Sequence, residues 1–99
     1  MYPLPFLDFS LVQTETECTT YNTETVLKEL SSELCAQRCQ YTSSMFTYQR
    51  NDSGQCSVDG CDCICDSKAD SNGNCETQSS LKNDLYRFST GTQNCYALG

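Results

Sequence analysis

The chain has 99 residues and no histidine. This removes the side chain most often used as a general base near neutral pH, and the nitrogen donor often found in structural zinc sites. Carboxylates are plentiful, but nothing in their spacing pairs two of them in an apolar pocket. They read as solvated surface groups, and the protein as non-enzymatic, without catalytic residues. Basic residues are scarce, six against thirteen acidic ones, for a net charge of -7. Nucleic acid and anionic membrane surfaces both require a basic patch, so neither is expected as a partner. No apolar run approaches the roughly 18 residues of a membrane span, which argues against membrane insertion. The N-terminus, MYPLPFLDFSLV, has no basic n-region and carries Pro3, Pro5 and Asp8, so it is not expected to be a signal peptide. Secretion would then imply that a leader had been removed, or that Met1 had been added. Cys-x-x-Cys, the spacing of thiol redox catalysts, does not occur.

Cysteine, by contrast, is abundant, with nine in the chain: Cys18, Cys35, Cys39, Cys56, Cys61, Cys63, Cys65, Cys75 and Cys95. A short chain this rich in cysteine reads as a disulfide scaffold. At this length a hydrophobic core leaves only a marginal stability margin, and covalent bridges are the usual supplement. Disulfides need an oxidising compartment, so the expected location is secreted or extracellular. Metal is the competing reading of so many thiols. Structural zinc prefers Cys-x(2-4)-Cys knuckles, often with histidine, whereas GCDCICD (60–66) places Cys61, Cys63 and Cys65 at every second residue. No metal or cofactor is therefore expected. In DSKADSNGNCE, an EF-hand aligned on Gly73 would put Lys68 and Ser79 at its first and twelfth ligand positions, which rules out calcium there.

Alternate residues of a strand face the same way, so the three ladder cysteines share one face, about 7 Å apart at roughly 3.3 Å of rise per residue. Cys35 and Cys39 sit four apart, about 6 Å along a helix at roughly 1.5 Å per residue. A helix laid on that face can make two parallel bridges into the strand, with Cys56 as a further candidate partner. Cys75 is expected to pair with another of Cys56, Cys61, Cys63 and Cys65, with Cys65, across the intervening turn, as the favoured partner.

Along the chain, residues 1–5 read as extended because of the two prolines. Leu7, Phe9 and Leu11 alternate with polar residues as a half-buried strand does. Residues 14–25 suggest a strand plus loop around Cys18. The leucines of VLKELSSELCAQRCQY follow helical spacing, and Ser31 or Ser32 can cap a short helix ending near residue 40, leaving 26–30 ambiguous. MFTYQ, CDCIC, DLYRF and NCYAL read as strands, and RNDSGQ and DSKADSNGN as turns. No repeat or linker divides the chain. The expectation is one α+β domain over 14–99, a single short helix packed on an antiparallel sheet, preceded by an apolar arm or strand over 1–13.

SSELCAQRCQYTSSMFTYQRNDSGQC resembles the PAN/Apple family, which shows a helix with Cys-x-x-x-Cys, an aromatic strand and a cysteine after a short turn. Here these are Cys35 and Cys39, Phe46 and Tyr48, and Cys56. The resemblance spans roughly residues 18–98, since Cys18 with Cys95 would match the bridge joining the two ends of Apple-type members. It implies a helix cradled by a curved antiparallel sheet, in a module that binds proteins or carbohydrates. The family often has a cysteine just before the aromatic strand, bonded to the second helix cysteine. Ser44 and Met45 stand there instead, which sends Cys39 to the CDCIC ladder.

Two functions follow as expectations. The first is an adhesion or recognition module for a protein or glycan ligand, with Tyr21, Tyr41, Tyr48, Tyr86 and Tyr96 as aromatic candidates, most of them packed in the sheet. The second is a self-assembling subunit of an extracellular filament or matrix, a homo-oligomer whose partners are copies of itself. An odd cysteine count leaves one thiol without an intrachain partner. Tyr2, Leu4, Phe6, Leu7, Phe9 and Leu11 of the arm would make the subunit contacts. Asn51 heads NDS, the sole N-x-S/T sequon, and is the expected glycosylation site.

Overall fold

A computed structural model describes residues 7–50 and 56–89. Its elements are β1 (Phe9–Gln13), β2 (Thr16–Cys18), β3 (Leu27–Glu29), α1 (Ser32–Cys39), β4 (Met45–Gln49), β5 (Cys61–Cys65), β6 (Thr77–Ser79) and β7 (Asn83–Phe88), with one 3-10 turn at Tyr21–Thr23. Five strands form an antiparallel sheet in the order β1-β7-β4-β5-β3, and β2 pairs with β6 in a second, two-stranded sheet.

The helix starts where the serines allow it. Ser31 is extended, and its hydroxyl accepts the Leu34 backbone N–H at 3.1 Å, satisfying one of the orphan donors of the first turn. Residues just ahead of this cap form β3, pairing Leu27 with Cys63 and Glu29 with Cys61. The ambiguous stretch is thus an edge strand rather than more helix. The buried side of α1 is Cys35, Ala36 and Cys39. It packs on Phe46, Tyr48, Cys61, Cys63 and Phe88, all from one face of the large sheet.

The opposite face is covered as well. Met45 and Leu85 meet Cys18 of β2 in a smaller cluster flanked by Ala69 and Cys75. A central strand covered on both sides has no solvent face, and β4 is accordingly buried at all five positions. This second layer rests on β6, a three-residue polar strand, exposed throughout, that carries no periodic apolar signal. The sequence reading placed a helix on one face of the sheet; the structure sandwiches the sheet.

The turn before β5 depends on Gly60, whose φ is +120°. A Cβ there would lie 2.2 Å from the Glu29 carbonyl oxygen, so both the backbone conformation and the contact with β3 require glycine. The expected turn at 51–55, with Asn51, and the expected last strand at 94–98 lie outside the described residues.

Candidate functional site

The cysteine ladder is the covalent frame. Cys35 bonds Cys63 and Cys39 bonds Cys65, with Cα separations of 5.6 and 5.1 Å, so helix and strand are joined by two parallel bridges as their spacings predict. Cys61 closes a short loop with Cys56. Two expectations are corrected. Cys18 bonds Cys75, not Cys95, and Cys75 therefore does not bond Cys65. The reason is the β2–β6 pairing: Cys18 lies opposite Thr77, and the Thr19 N–H donates to the Glu76 carbonyl, which carries the ladder towards Cys75. Cys65 is held by the register that sets α1 on β5. Cys95 lies outside the described residues.

Three of these sulfurs, Cys35, Cys39 and Cys63, are buried and lie within 4.8 Å of one another. All three are in S–S bonds, and the thiolate, the form that ligates metals, is absent from such a bond.

The N-terminal residues divide differently than expected. Tyr2, Leu4 and Phe6 lie outside the described residues. Leu7 and Phe9, expected to face a partner, pack against this domain's own core. Phe9 makes edge-on contacts with Phe46, Tyr86 and Phe88 at 5.4, 5.9 and 6.4 Å. The pairing of β1 with β7 places them there, because Phe9 lies opposite Phe88. Leu11 remains 48% exposed, and Val12 beside it is also exposed. Together they lie on an outer strand of the large sheet.

Two of the tyrosines are structural. Tyr48 is buried, its hydroxyl donating to the Glu29 carbonyl at 2.8 Å, and Tyr86 stacks on Phe46 with ring centroids 5.0 Å apart. Burial raises the phenol of each. Tyr96 lies outside the described residues. Tyr41 is different, 68% exposed just past the end of α1.

Tyr41 borders an open cleft of about 300 Å³. Tyr41, Thr42, Ser43 and Ser44 form one side; Ser67, Ala69, Asp70 and Ser71 form the other. Both walls are held by hydrogen bonds. The Ser43 backbone N–H donates to the Cys39 carbonyl, and the Ser44 hydroxyl donates to the Asp70 carbonyl across the cleft. Asp70 Oδ1 accepts the Asn72 and Asn74 N–H groups at 2.9 and 3.0 Å, which shapes the second wall. Ser67 is anchored to the Glu24 carboxylate through its N–H at 3.1 Å and its hydroxyl at 2.9 Å. The lining is thus hydroxyl-rich, with one aromatic face and one carboxylate. The residues around Asp70 read in the sequence only as a polar turn; what joins them to Tyr41 is tertiary, and no local pattern signals it.

Next to Ser67 in the chain, Asp66 is fully buried. Its Oδ2 accepts the Thr47 hydroxyl at 2.9 Å, while Oδ1 has no hydrogen-bond partner among the described residues. Burial pushes its carboxyl up to about 7, against the Thr47 hydrogen bond and with help from the charges of Glu24 and Glu17. Asp62 shows the reverse. Burial would raise it, but hydrogen bonds from Lys28 and Lys82 outweigh that and hold it below the ordinary carboxylate range.

The chain matches no protein family, curated protein or solved structure with which it was compared. Among the described residues no helix is long and apolar enough to cross a membrane.

Proposed function

We propose that this protein is a secreted, non-enzymatic recognition module of PAN/Apple type, whose cleft beside Tyr41 binds a protein or carbohydrate ligand. The observation that carries this reading is the exposed Tyr41 side chain at the rim of a hydroxyl-lined cleft whose walls are joined by a hydrogen bond. Four disulfides hold the scaffold beneath it, and such bridges form and persist in oxidising compartments. An aromatic face surrounded by hydroxyl donors and acceptors suits the alternating apolar and polar faces of a sugar, or a polar peptide. Titration calorimetry against a panel of oligosaccharides and secreted proteins tests the reading. Tyr41→Ala should weaken binding about tenfold or more, a loss of at least ~1.4 kcal/mol, without changing the fold. A ligand that binds the variant and the parent equally would place recognition elsewhere.

A second reading, self-assembly outside the cell, rests on the outer strand β1 with Leu11 and Val12 exposed beside each other. Unpaired strand edges with apolar side chains are templates for another chain. Size-exclusion chromatography with and without reductant separates the two: an assembly that survives reduction supports the subunit, and a monomer in both conditions supports the binder.

A further inference from the structure

The two helix-to-strand bridges are not equally accessible. Cys35 and Cys63 are both fully buried. In the neighbouring bridge Cys39 is fully buried but Cys65 is half-buried. A solvent thiol can therefore approach Cys65 and has no route to the Cys35–Cys63 bond. Across the gap between the bridges, Cys39 Sγ lies 3.9 Å from Cys63 Sγ. That is close to van der Waals contact for two sulfurs and a short approach for thiol–disulfide exchange.

We propose that these four cysteines form a thiol-exchange relay, in which attack at Cys65 opens the buried Cys35–Cys63 bridge through Cys39. In the first step an external thiolate attacks Cys65 Sγ, forming a mixed disulfide there and expelling the Cys39 thiolate. The Cys39 thiolate then attacks Cys63 Sγ; the Cys39–Cys63 bond forms, the Cys35–Cys63 bond breaks, and Cys35 leaves as a thiolate. Cys35 takes a proton from solvent, and its S–H has an acceptor in place, since Cys35 Sγ lies 3.9 Å from the Thr47 carbonyl oxygen. A second external thiolate attacks the small-molecule sulfur of the mixed disulfide and releases Cys65, which is protonated in turn. Two external thiols are thus oxidised to one small disulfide, and two protein disulfides become the single bridge Cys39–Cys63 plus thiols at Cys35 and Cys65. The helix stays tethered throughout, but its tether has moved from two strand positions to one. The device would make α1 and the neighbouring cleft sensitive to the thiol content of the surroundings.

The test uses the full chain, with Cys95 first blocked by a maleimide. Limited reduction by a water-soluble phosphine at acid pH, where thiolates are too few for exchange, should release Cys39 and Cys65. In this reaction the phosphine becomes its oxide with oxygen from water. Alkylation in acid denaturant followed by peptide mapping should then label Cys39 and Cys65, along with any cysteines of Cys18–Cys75 and Cys56–Cys61, whose Cys75 and Cys56 ends are also half-buried, and should leave Cys35 and Cys63 unlabelled. The same sample held briefly at mildly alkaline pH before the same alkylation should have its Cys39 label replaced by one on Cys35, with Cys65 still labelled and a Cys39–Cys63 cross-linked peptide. Labels that stay on Cys39 and Cys65 after the alkaline step would overturn the relay, as would opening of Cys35–Cys63 ahead of Cys39–Cys65. A kinetic arm uses the double variant Cys39→Ser, Cys65→Ser, in which a monothiol should reduce Cys35–Cys63 at least about tenfold more slowly than in the parent. An unchanged rate would also overturn the proposal. The labelling arm needs no variant and decides the matter if the double variant does not fold.

Discussion

Asp66 is the residue at which burial and charge conflict most openly. An unfolded aspartate titrates near 3.8, and the folded one near 7. The folded state therefore holds the proton more tightly, and the stability linked to it is complete below about 3.8. It is lost as pH rises towards 7. Asp66→Asn keeps an acceptor for the Thr47 hydroxyl and removes the buried charge. It should stabilise the fold on the alkaline side of this window, by an amount on the order of a few kcal/mol and with a higher melting temperature, and change little on the acid side. Thermal melts across the window check this; equal effects at both ends would mean that Asp66 is not the titrating group. Gly60 is the complementary case, a backbone constraint. Gly60→Ala should cost at least about 1–3 kcal/mol in denaturant unfolding, because the left-handed φ and the Glu29 carbonyl both oppose a Cβ.

Among the elements, α1 is short, and local capping and covalent anchoring support it more than its own length does. Loss of the Ser31 hydroxyl in Ser31→Ala should cost about 1 kcal/mol. Removing the Cys35–Cys63 bridge as a pair of alanines should cost about 2–4 kcal/mol through the freed unfolded chain, with a further cavity contribution from two buried sites. Circular dichroism and denaturant titration would separate these two magnitudes, and a larger loss for the cap than for the bridge would invert this account of the helix. β1 carries two different duties along five residues. Phe9 belongs to the core and Leu11 to the surface, so Phe9→Ala should destabilise by about 2 kcal/mol or more, whereas Leu11→Ser should shift stability by only about 0.5 kcal/mol. If β1 is an assembly edge, Leu11→Ser should nonetheless lower the association seen by light scattering.

For the molecule as a whole, disulfide count and layer structure act together. The two bridges from α1 and the Cys56–Cys61 loop secure the helix-bearing face of the large sheet, while Cys18–Cys75 secures the β2–β6 layer on the other. Eight of the nine cysteines are joined within the chain by these four bonds, and the ninth, Cys95, lies outside the described residues. Maleimide labelling of the denatured, unreduced protein should therefore modify one thiol per chain. If Cys95 links two copies, it should modify none and a covalent dimer should be present. Deleting residues 1–12 should destabilise the domain rather than release an intact one, because it removes Phe9 along with most of β1. A truncated protein with unchanged unfolding midpoint would contradict the placement of Phe9 in the core.

Local patterns in the chain specify a good deal of this. The two-residue spacing of Cys61, Cys63 and Cys65 and the four-residue spacing of Cys35 and Cys39 are properties of a strand and a helix taken singly, and their match in length dictates the parallel bridges. Ser31 or Ser32 announces the helix start for the same local reason, and the structure selects Ser31. The partner of Cys18 was not legible, because it follows from β2 meeting β6, and the TQS of β6 has neither apolar alternation nor β-branched density to mark it. Phe9 and Leu11 show the same limit. Alternation marks both as strand residues, but only the pairing with β7 determines that one is enclosed by Phe46, Tyr86 and Phe88 while the other meets water. Asp66 and the walls of the Tyr41 cleft depend on contacts between segments distant in the chain. Periodicity reports how a segment faces its own axis, whereas burial, a raised carboxyl and a cleft depend on which segment arrives opposite, and only strand pairing and packing in the folded chain set that.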